Sequence, residues 1–581
     1  MAIFPYLSPT EQTRLTVEHF GGYDHRLACP EGSFFEVKNL SSRLYPLLST
    51  RPERGVVREL TEPGGIIGKD ALAFVDGGRL YYNDRPTELT GLSEGEKQLV
   101  GMGTYILIFP DKVYFNTEDF TDHGSMEAHY SFEGSVKYSL CTADGTAVSD
   151  PTKSDIQPEN PDNGELWLDG SGTLHSYSAA LGLWTEELGV YTKLEFSTEG
   201  QIPALFSAFD AVELGGCYID TLNGEKIIYA LGGGEAQSDY IVVVGLIDGT
   251  QIQENARITI RRTIPEMDFV CQCQNRLWGC RYGMQGEKIV NEIYCSALGD
   301  FKNFHQYLGL STDSWTASLG SDGQFTGAVS YLGSPCFFKE DRIHRVTVSA
   351  IGAHRVDETV CRGVQKGSGK SLCVVGESLY YKARNDICVW QGGFPQSVSA
   401  ALGDKQYKNA VAGALGGKYY ISMQDSEGAW SLFVYDGSLG IWQREDDLHA
   451  MCFTQCRGEL YCIDADSGRL LAMNGRDGTA EEPFEWYAES GMLRYFTPDR
   501  QYISRLSFTM SMDSGGCAQV YLRYDGRGAW EKVGELSMSG SGTVTLPVRP
   551  RRCGYLQMRI AGQGQMTLYD LSRVLEQGSD M

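Results

Sequence analysis

From about residue 64 onward, short apolar runs alternate with turn residues. Ala71–Val75 is followed by Asp76-Gly77-Gly78 and then by Arg79–Tyr82, a strand, a tight turn and a second strand. The arrangement recurs as Tyr105–Phe109 with Lys112–Phe115, as Ser371–Val375 with Ser378–Tyr381, and as Ala412–Leu415 with Lys418–Ser422. Each second strand carries one or two Tyr residues. A further motif joins Tyr177, Leu181-Gly182-Leu183 and Trp184, and is matched by Tyr435, Leu439-Gly440-Ile441 and Trp442; Tyr524-Asp525-Gly526 with Trp530 is a looser echo. Repeated hairpins of this kind predict a repeat architecture, and a propeller closes it without leaving exposed sheet edges.

Three segments depart from the pattern. Residues 1–60 are broken by Gly21-Gly22, Pro30, Pro46 and Pro52, and read as an extended arm. Residues 188–264 hold their own strands, among them Tyr240–Val244 and Arg257–Ile260, and read as an inserted small β-barrel or sandwich. Over residues 481–581 the period is strictly two, as in Ile503–Met510 and Ala518–Tyr524, which predicts a C-terminal β-sandwich. The expected fold is therefore all-β, with the propeller-like core in residues 61–187 (including a polar loop, 141–165) and 265–480.

Composition sharpens this picture. The 581 residues include 69 Gly, 32 Tyr and 24 Phe, which suits short strands and tight turns. A formal net charge of −25 argues against nucleic acid, whose affinity comes from Lys and Arg on phosphates, and against an anionic membrane surface. The 16 Cys are scattered; Cys271-Gln272-Cys273 and Cys452, Cys456 and Cys462 lie nearest one another, with His449 the nearby imidazole, and no CxxC pair occurs. Buried free thiols of a protein made in a reducing cytoplasm fit this spacing better than zinc. The N-terminus has no apolar h-region of a signal peptide, and no apolar run reaches the ~20 residues that span a bilayer.

Tests for chemistry find little. Gly363–Ser371 resembles a P-loop but has five residues, not four, before Gly369-Lys370-Ser371, and the strand-like run Leu372–Val375 follows it. Sialidase-type propellers carry a Ser-x-Asp-x-Gly-x-x-Trp turn; Asp425-Ser-Glu-Gly428-Ala-Trp430 comes nearest and has the wrong offsets. No HExxH and no GxSxG beside a His is present. The expectation is a chain that is not an enzyme and uses no cofactor or metal.

Asn275-Arg276-Leu-Trp278-Gly279, followed by Glu292–Phe304, resembles a segment of phage and prophage virion proteins. So do Asn39–Pro46, Phe338–Glu340, Gly363–Ser371, Val434–Asp436 with Trp442–Asp446, Ile560–Gly564 with Leu568–Asp570, and Glu576–Asp580. More distantly, the chain is similar to the propeller-shaped packaged-DNA stabilisation proteins of short-tailed phages. The resemblance implies a structural component of a phage neck, tail or baseplate, in the virion and produced in the bacterial cytoplasm. Its implied partners are other virion proteins, in a homo-oligomeric ring, with neither membrane nor sequence-specific nucleic acid. It carries over no catalytic residue. Its signature positions are Asn275, Arg276, Trp278, Asp300, Tyr435, Asp436 and Trp442. Of these, Asn275 and Asp300 are expected to brace turns, and Trp278 and Trp442 to fill space between sheets. The alternative is a receptor- or glycan-binding propeller, possibly a degraded glycoside hydrolase.

Overall fold

A computed structural model describes residues 12–577 apart from 149–150, 188–189, 235–236, 248–250, 287, 350–351, 495–500, 514–515, 539 and 552. Among these residues the core is a β-propeller of seven blades, six of them built from four consecutive antiparallel strands and the seventh closed by a strand from earlier in the chain. Blade one runs from Pro63–Gly68 to Arg85–Thr90, and blade two from Gln98–Met102 to His123–Ser125. Blade three begins at Phe269–Cys273, blade four at Gly327–Tyr331, blade five at Cys373–Val375 and blade six at Tyr407–Leu415. Blade seven is Ala450–Cys456, Glu459–Asp464 and Arg469–Ala472, completed by Gly55–Glu59 from the other end of the chain.

Alternation in these strands produces the ring. The middle strands of most blades are largely buried because a blade is covered by its neighbours, while outer strands such as His354–Val360 are mostly exposed, and the apolar residues sort into wedges between blades. Val75, Leu80, Ile106 and Phe115 form the wedge between blades one and two. Trp278, Cys280, Phe337 and Val346 fill the next but one, between three and four. Ile66, Phe74, Ile463 and Leu470 fill the wedge that joins seven back to one. Leu107 and Phe109 meet Val270 and Leu277 across the break where the insertion leaves the ring.

The insertion is larger than the sequence suggests. It runs from Ala128–Cys141 to Gln251–Arg262, two long strands paired in continuous register, so residues 128–187 belong to it and not to the propeller. The expected start at residue 188 misses the first of these strands because its alternation looks like one more blade strand. Seven strands form its main sheet, and the chain passes directly from one edge strand, Gly224–Ile227, to the other, Ala230–Gly234. Tyr138, Leu194, Ile241 and Ile258 are among its fully buried core. A satellite sheet of four strands, Thr152–Lys153 to Leu183–Glu186, projects from it and contains Tyr177 and Trp184. The polar loop expected over 141–165 thus contributes the first strand of that sheet.

The N-terminal stretch is not a free arm. Residues 1–11 lie outside the described residues; beyond them, Gln12–Val17 pairs with Met566–Gln577 in the sandwich. Ser33–Lys38 pairs with Glu485–Ser490, and Gly22–Tyr23 bridges to blade six through Tyr23 and Trp442. Blade six and one sandwich sheet are therefore a single continuous sheet. The other sandwich sheet, with Gln501–Met512 and Met566–Gln577 at its centre, closes over it, and Phe508, Met510 and Leu568 pack on Val520, Leu522 and Ile560.

Candidate ligand cleft at the sixth blade

The tie between blade six and the sandwich creates a cleft of about 510 Å³. Tyr23 and Glu36 enter it from the two N-terminal strands, Tyr407 and Arg444 from the first and last strands of blade six, and Trp430 from the start of the third. The Asp425–Ala429 turn is shaped by Asp425, whose Oδ1 accepts the amides of Glu427 and Ala429, both at 2.9 Å. That turn presents Trp430, whose indole stacks on His449 at 3.8 Å and 15°. His449 is held in turn by Asp466, 2.8 Å from Nδ1. The result is a flat aromatic platform at the mouth of a polar cleft.

Its inner wall is undersupplied with hydrogen bonds. Tyr23 is only 1% exposed, and its hydroxyl finds no partner among the described residues; nor does Glu36 Oε2. Burial, with the Glu36 charge adding to it, pushes the Tyr23 phenol far above its ordinary value. Lys405 Nζ stands 3.9 Å from Glu36 Oε1, on the far oxygen of the carboxylate. Asp447, by contrast, is satisfied by Lys38 at 2.9 Å and by Arg444. Buried polar atoms without partners are uncommon, and these two belong to residues that line the cleft.

A second cleft of about 500 Å³ opens between the propeller and the sandwich, lined by Arg43, Glu53 and Arg54 among others. Arg54 leaves Nε unpartnered but commits its terminal nitrogens to Glu445 and Asp446 at 2.9 and 2.7 Å. This cleft has no aromatic platform.

The hub of the ring is filled by protein. From the fifth blade, Ser368 Oγ accepts the amide of Ala410, and Tyr419 Oη donates to the Ser371 carbonyl, which ties the segment to blade six. A side chain at Gly369 would stand 2.6 Å from the Thr326 carbonyl and 2.9 Å from the Phe269 ring, beside blades four and three. Lys370 donates to the Met451 carbonyl of blade seven at 2.7 Å and pairs with Glu96, which precedes blade two. The P-loop-like stretch thus serves as an axle. Only a three-residue 3-10 turn, Gly369–Ser371, follows its glycines, and a strand comes next.

The signature residues do not converge. Asn275 adopts φ 55° in the first hairpin of blade three, and its carbonyl accepts the Gly299 amide. Arg276, buried next to it, donates to the carbonyls of Ser296, Asp313 and Ser311 at 2.8, 2.7 and 2.6 Å, fixing the long loop before Trp315. Asp300 caps the Lys302 amide in that loop, and burial raises its carboxyl. Trp278 is buried and meets Trp315 and His354 edge-on. In blade six, Tyr435 lies opposite Trp442 in register, with ring centroids 4.7 Å apart. Asp436 holds the Ser438 hydroxyl at 2.7 Å and Lys418 at 3.7 Å. Trp442 is buried and pairs with Tyr23, a residue of the cleft wall, without itself lining the cleft.

Tyr177 faces Trp184 in register just as Tyr435 faces Trp442, yet in the insertion's satellite sheet. The Tyr–turn–Trp motif therefore marks a cross-strand aromatic pair, which any hairpin can use, and does not mark a blade. The cleft residues Tyr23, Glu36 and Tyr407 carry no signal in the sequence, and Arg444 enters only as part of the phage-like stretch Trp442–Asp446. The failed Asp425–Trp430 turn motif was the nearest pointer. His449 faces Trp430, not the neighbouring cysteines, and among the described residues no cluster of His, Cys, Asp and Glu has metal-binding geometry. Burial raises the thiols of Cys271 and Cys280 well above the usual range.

No family model and no curated protein matches the chain. Solved structures with some likeness include an exo-β-1,3-galactanase from Phanerochaete chrysosporium, 8% identical over 52% of this chain and 95% of that one, with a TM-score of 0.22. A family 43 arabinoxylan arabinofuranohydrolase from Bacillus subtilis is 8% identical over 54% of this chain and 95% of that one, at 0.18. The Trypanosoma rangeli sialidase is 9% identical over 98% and 96%, at 0.20. These neighbours are enzymes and so stand against the expectation of a chain that is not one, but at such TM-scores the likeness transfers neither an activity nor a catalytic residue.

Proposed function

We propose that this chain is a saccharide-binding β-propeller, with the cleft beside blade six as its binding site. The observation that carries the reading is the unpartnered Tyr23 hydroxyl and Glu36 oxygen behind the Trp430 platform. A sugar ring offers an apolar C–H face to an indole and a rim of hydroxyls that donate and accept. It satisfies both halves of such a site at once. A buried polar atom left unmatched costs about 1–3 kcal/mol, so a ligand that matches two of them binds with that advantage. The test is a glycan array followed by calorimetry on the full chain. Saturable binding of an oligosaccharide, lost in Trp430→Ala while the fold persists by circular dichroism, supports the reading. An array with no hit, or a hit indifferent to Trp430→Ala, overturns it.

A second reading, a structural role in a phage particle, is favoured by where the phage-like stretches fall. Asn39 donates its side-chain amide to the Glu485 carbonyl at 2.7 Å and accepts from Arg51, while Glu445 and Asp446 hold Arg54. Two of those stretches, Asn39–Pro46 and Trp442–Asp446, contribute to the joint between propeller and sandwich, and Gly363–Ser371 forms the axle. A rigid frame of this kind suits a particle component that presents fixed surfaces to its neighbours. Immunogold labelling of purified particles decides it: label at the neck, tail or baseplate supports the role, and unlabelled particles reject it.

A further inference from the structure

Resting on the saccharide reading, the charges around the cleft narrow the class of sugar. Glu36, Asp425, Asp447 and Asp466 line it against Lys405 and Arg444. The positive groups are already engaged. Arg444 pairs with Asp447 and donates to Ser431 Oγ at 3.2 Å, and Lys405 reaches only the outer oxygen of Glu36. The acidic side is in surplus. Glu36 sits directly across the sheet from Glu489, on a neighbouring strand. Two like charges at opposed positions repel. Burial holds the Glu489 carboxyl above its ordinary value; Arg559 and Arg523 draw it down and Glu36 adds to the rise.

An acidic sugar would bring a third carboxylate to Glu36 Oε2, which can only accept while ionised. A neutral sugar would supply a hydroxyl donor. A protonated amine would supply donors and also offset the Glu36–Glu489 repulsion, at the back of a cleft where charge is weakly screened. We infer that the cleft selects a saccharide bearing a protonated amine, an amino sugar with its nitrogen unacetylated, with Glu36 as the group that reads the charge and Trp430 as the platform for the ring. Asp447 and Asp466 take no part in this, since Lys38 and His449 hold them at 2.9 and 2.8 Å, whereas Lys405 stands off from Glu36 at 3.9 Å.

The test uses the full chain and four probes at fixed ionic strength: a glucosamine tetramer, its fully N-acetylated counterpart, a galacturonic acid tetramer, and spermidine as a cation without a sugar ring. The amine tetramer is expected to bind at least tenfold more tightly than the acetylated one, with no binding of the uronic tetramer. Glu36→Gln should reduce the tenfold preference to under threefold while binding of the acetylated tetramer persists, and Trp430→Ala should weaken both. Preference for the uronic or the acetylated tetramer overturns this inference and leaves the saccharide reading standing. Silence from all three sugars overturns both. Spermidine binding as tightly as the amine tetramer, with Trp430→Ala indifferent, shows general attraction to a chain of net charge −25 and also overturns the inference.

Discussion

Arg54 and Glu445 form a buried ion pair, Nη2 to Oε2 at 2.9 Å, with 5% and 6% of their side chains exposed. The pair fastens the segment before the closing strand of blade seven to the exit of blade six, where the sandwich joins. Removing one partner of such a pair leaves the other charged in a dry site, at a cost of about 3–5 kcal/mol. Arg54→Met should lower the unfolding free energy by that order in urea. Arg54→Met with Glu445→Leu should recover part of it, because Glu445 is then no longer stranded, while Asp446 loses Arg54 but keeps Arg51 at 3.8 Å. A double variant as weak as the single one contradicts this account.

Tyr23→Phe should act in opposite directions on stability and binding. Deleting a buried hydroxyl that has no partner relieves about 1 kcal/mol in the empty protein, so the melting temperature rises slightly. Affinity for the sugar should fall several-fold. Differential scanning calorimetry and titration on the same sample check both, and a lowered melting temperature would show that the hydroxyl is matched after all.

Lys382 gives a pH signature. Its side chain is buried at the end of a blade-five strand, and burial lowers its ammonium from 10.5 to about 8, against the pull of Asp386. Below pH 8 the lysine is protonated in both states, and the folded protein holds that proton less tightly. As pH climbs from about 8 to 10.5, the folded form sheds the proton while the unfolded chain keeps it, so stability rises across that window. The gain approaches 3 kcal/mol. Urea titrations at pH 7 and 10.5 should show Lys382→Met losing most of this rise relative to the parent. Parallel curves would refute it.

How much of this could be read from the chain depends on which forces were local. The hairpins around Asp76-Gly77-Gly78 and Gly416-Gly417 were legible because turn chemistry and flanking alternation agree over a few residues, and both glycines in each adopt positive φ. The sandwich was legible from its period. The insertion boundary was not, because Ala128–Cys141 alternates as a blade strand would and only its distant partner, Gln251–Arg262, sets it apart. The cleft was least legible of all. Tyr23 and Tyr407 are far apart in sequence, and their neighbourhood follows from the Tyr23–Trp442 pairing, for which no local signal exists.

The axle is tight enough to test by size. Gly369 has no room for a side chain beside Thr326 and Phe269. Gly369→Val should cost roughly 1–3 kcal/mol through displaced backbone and off-rotamer packing. Gly393→Val, at a position with nothing within 4 Å, is the control and should leave the melting temperature within a degree or two. Equal effects from the two would mean that the hub yields.

Val56 pairs on both sides, with Leu471 and with Thr479. A proline there removes a ladder donor from an interior strand. Val56→Pro should unlatch blade seven, expose the edge of Arg469–Ala472, and drive self-association, read as early-eluting species in size-exclusion chromatography and faster trypsin cleavage. A monodisperse, protease-resistant variant would show that the ring holds without this strand.

The shared seventh blade also orders events during synthesis. Glu59 meets Arg469, and Gln12 meets Glu576, so these two early strands have no mates until hundreds of later residues have been made, whereas Gly22–Tyr23 and Ser33–Lys38 can pair with each other at once. At about 5–20 residues per second, roughly 400 intervening residues take some tens of seconds. By the close of that interval six blades stand around a gap that Gly55–Glu59 completes. Ring closure is therefore one late clasp between distant parts of the chain, not a steady accretion of independent units.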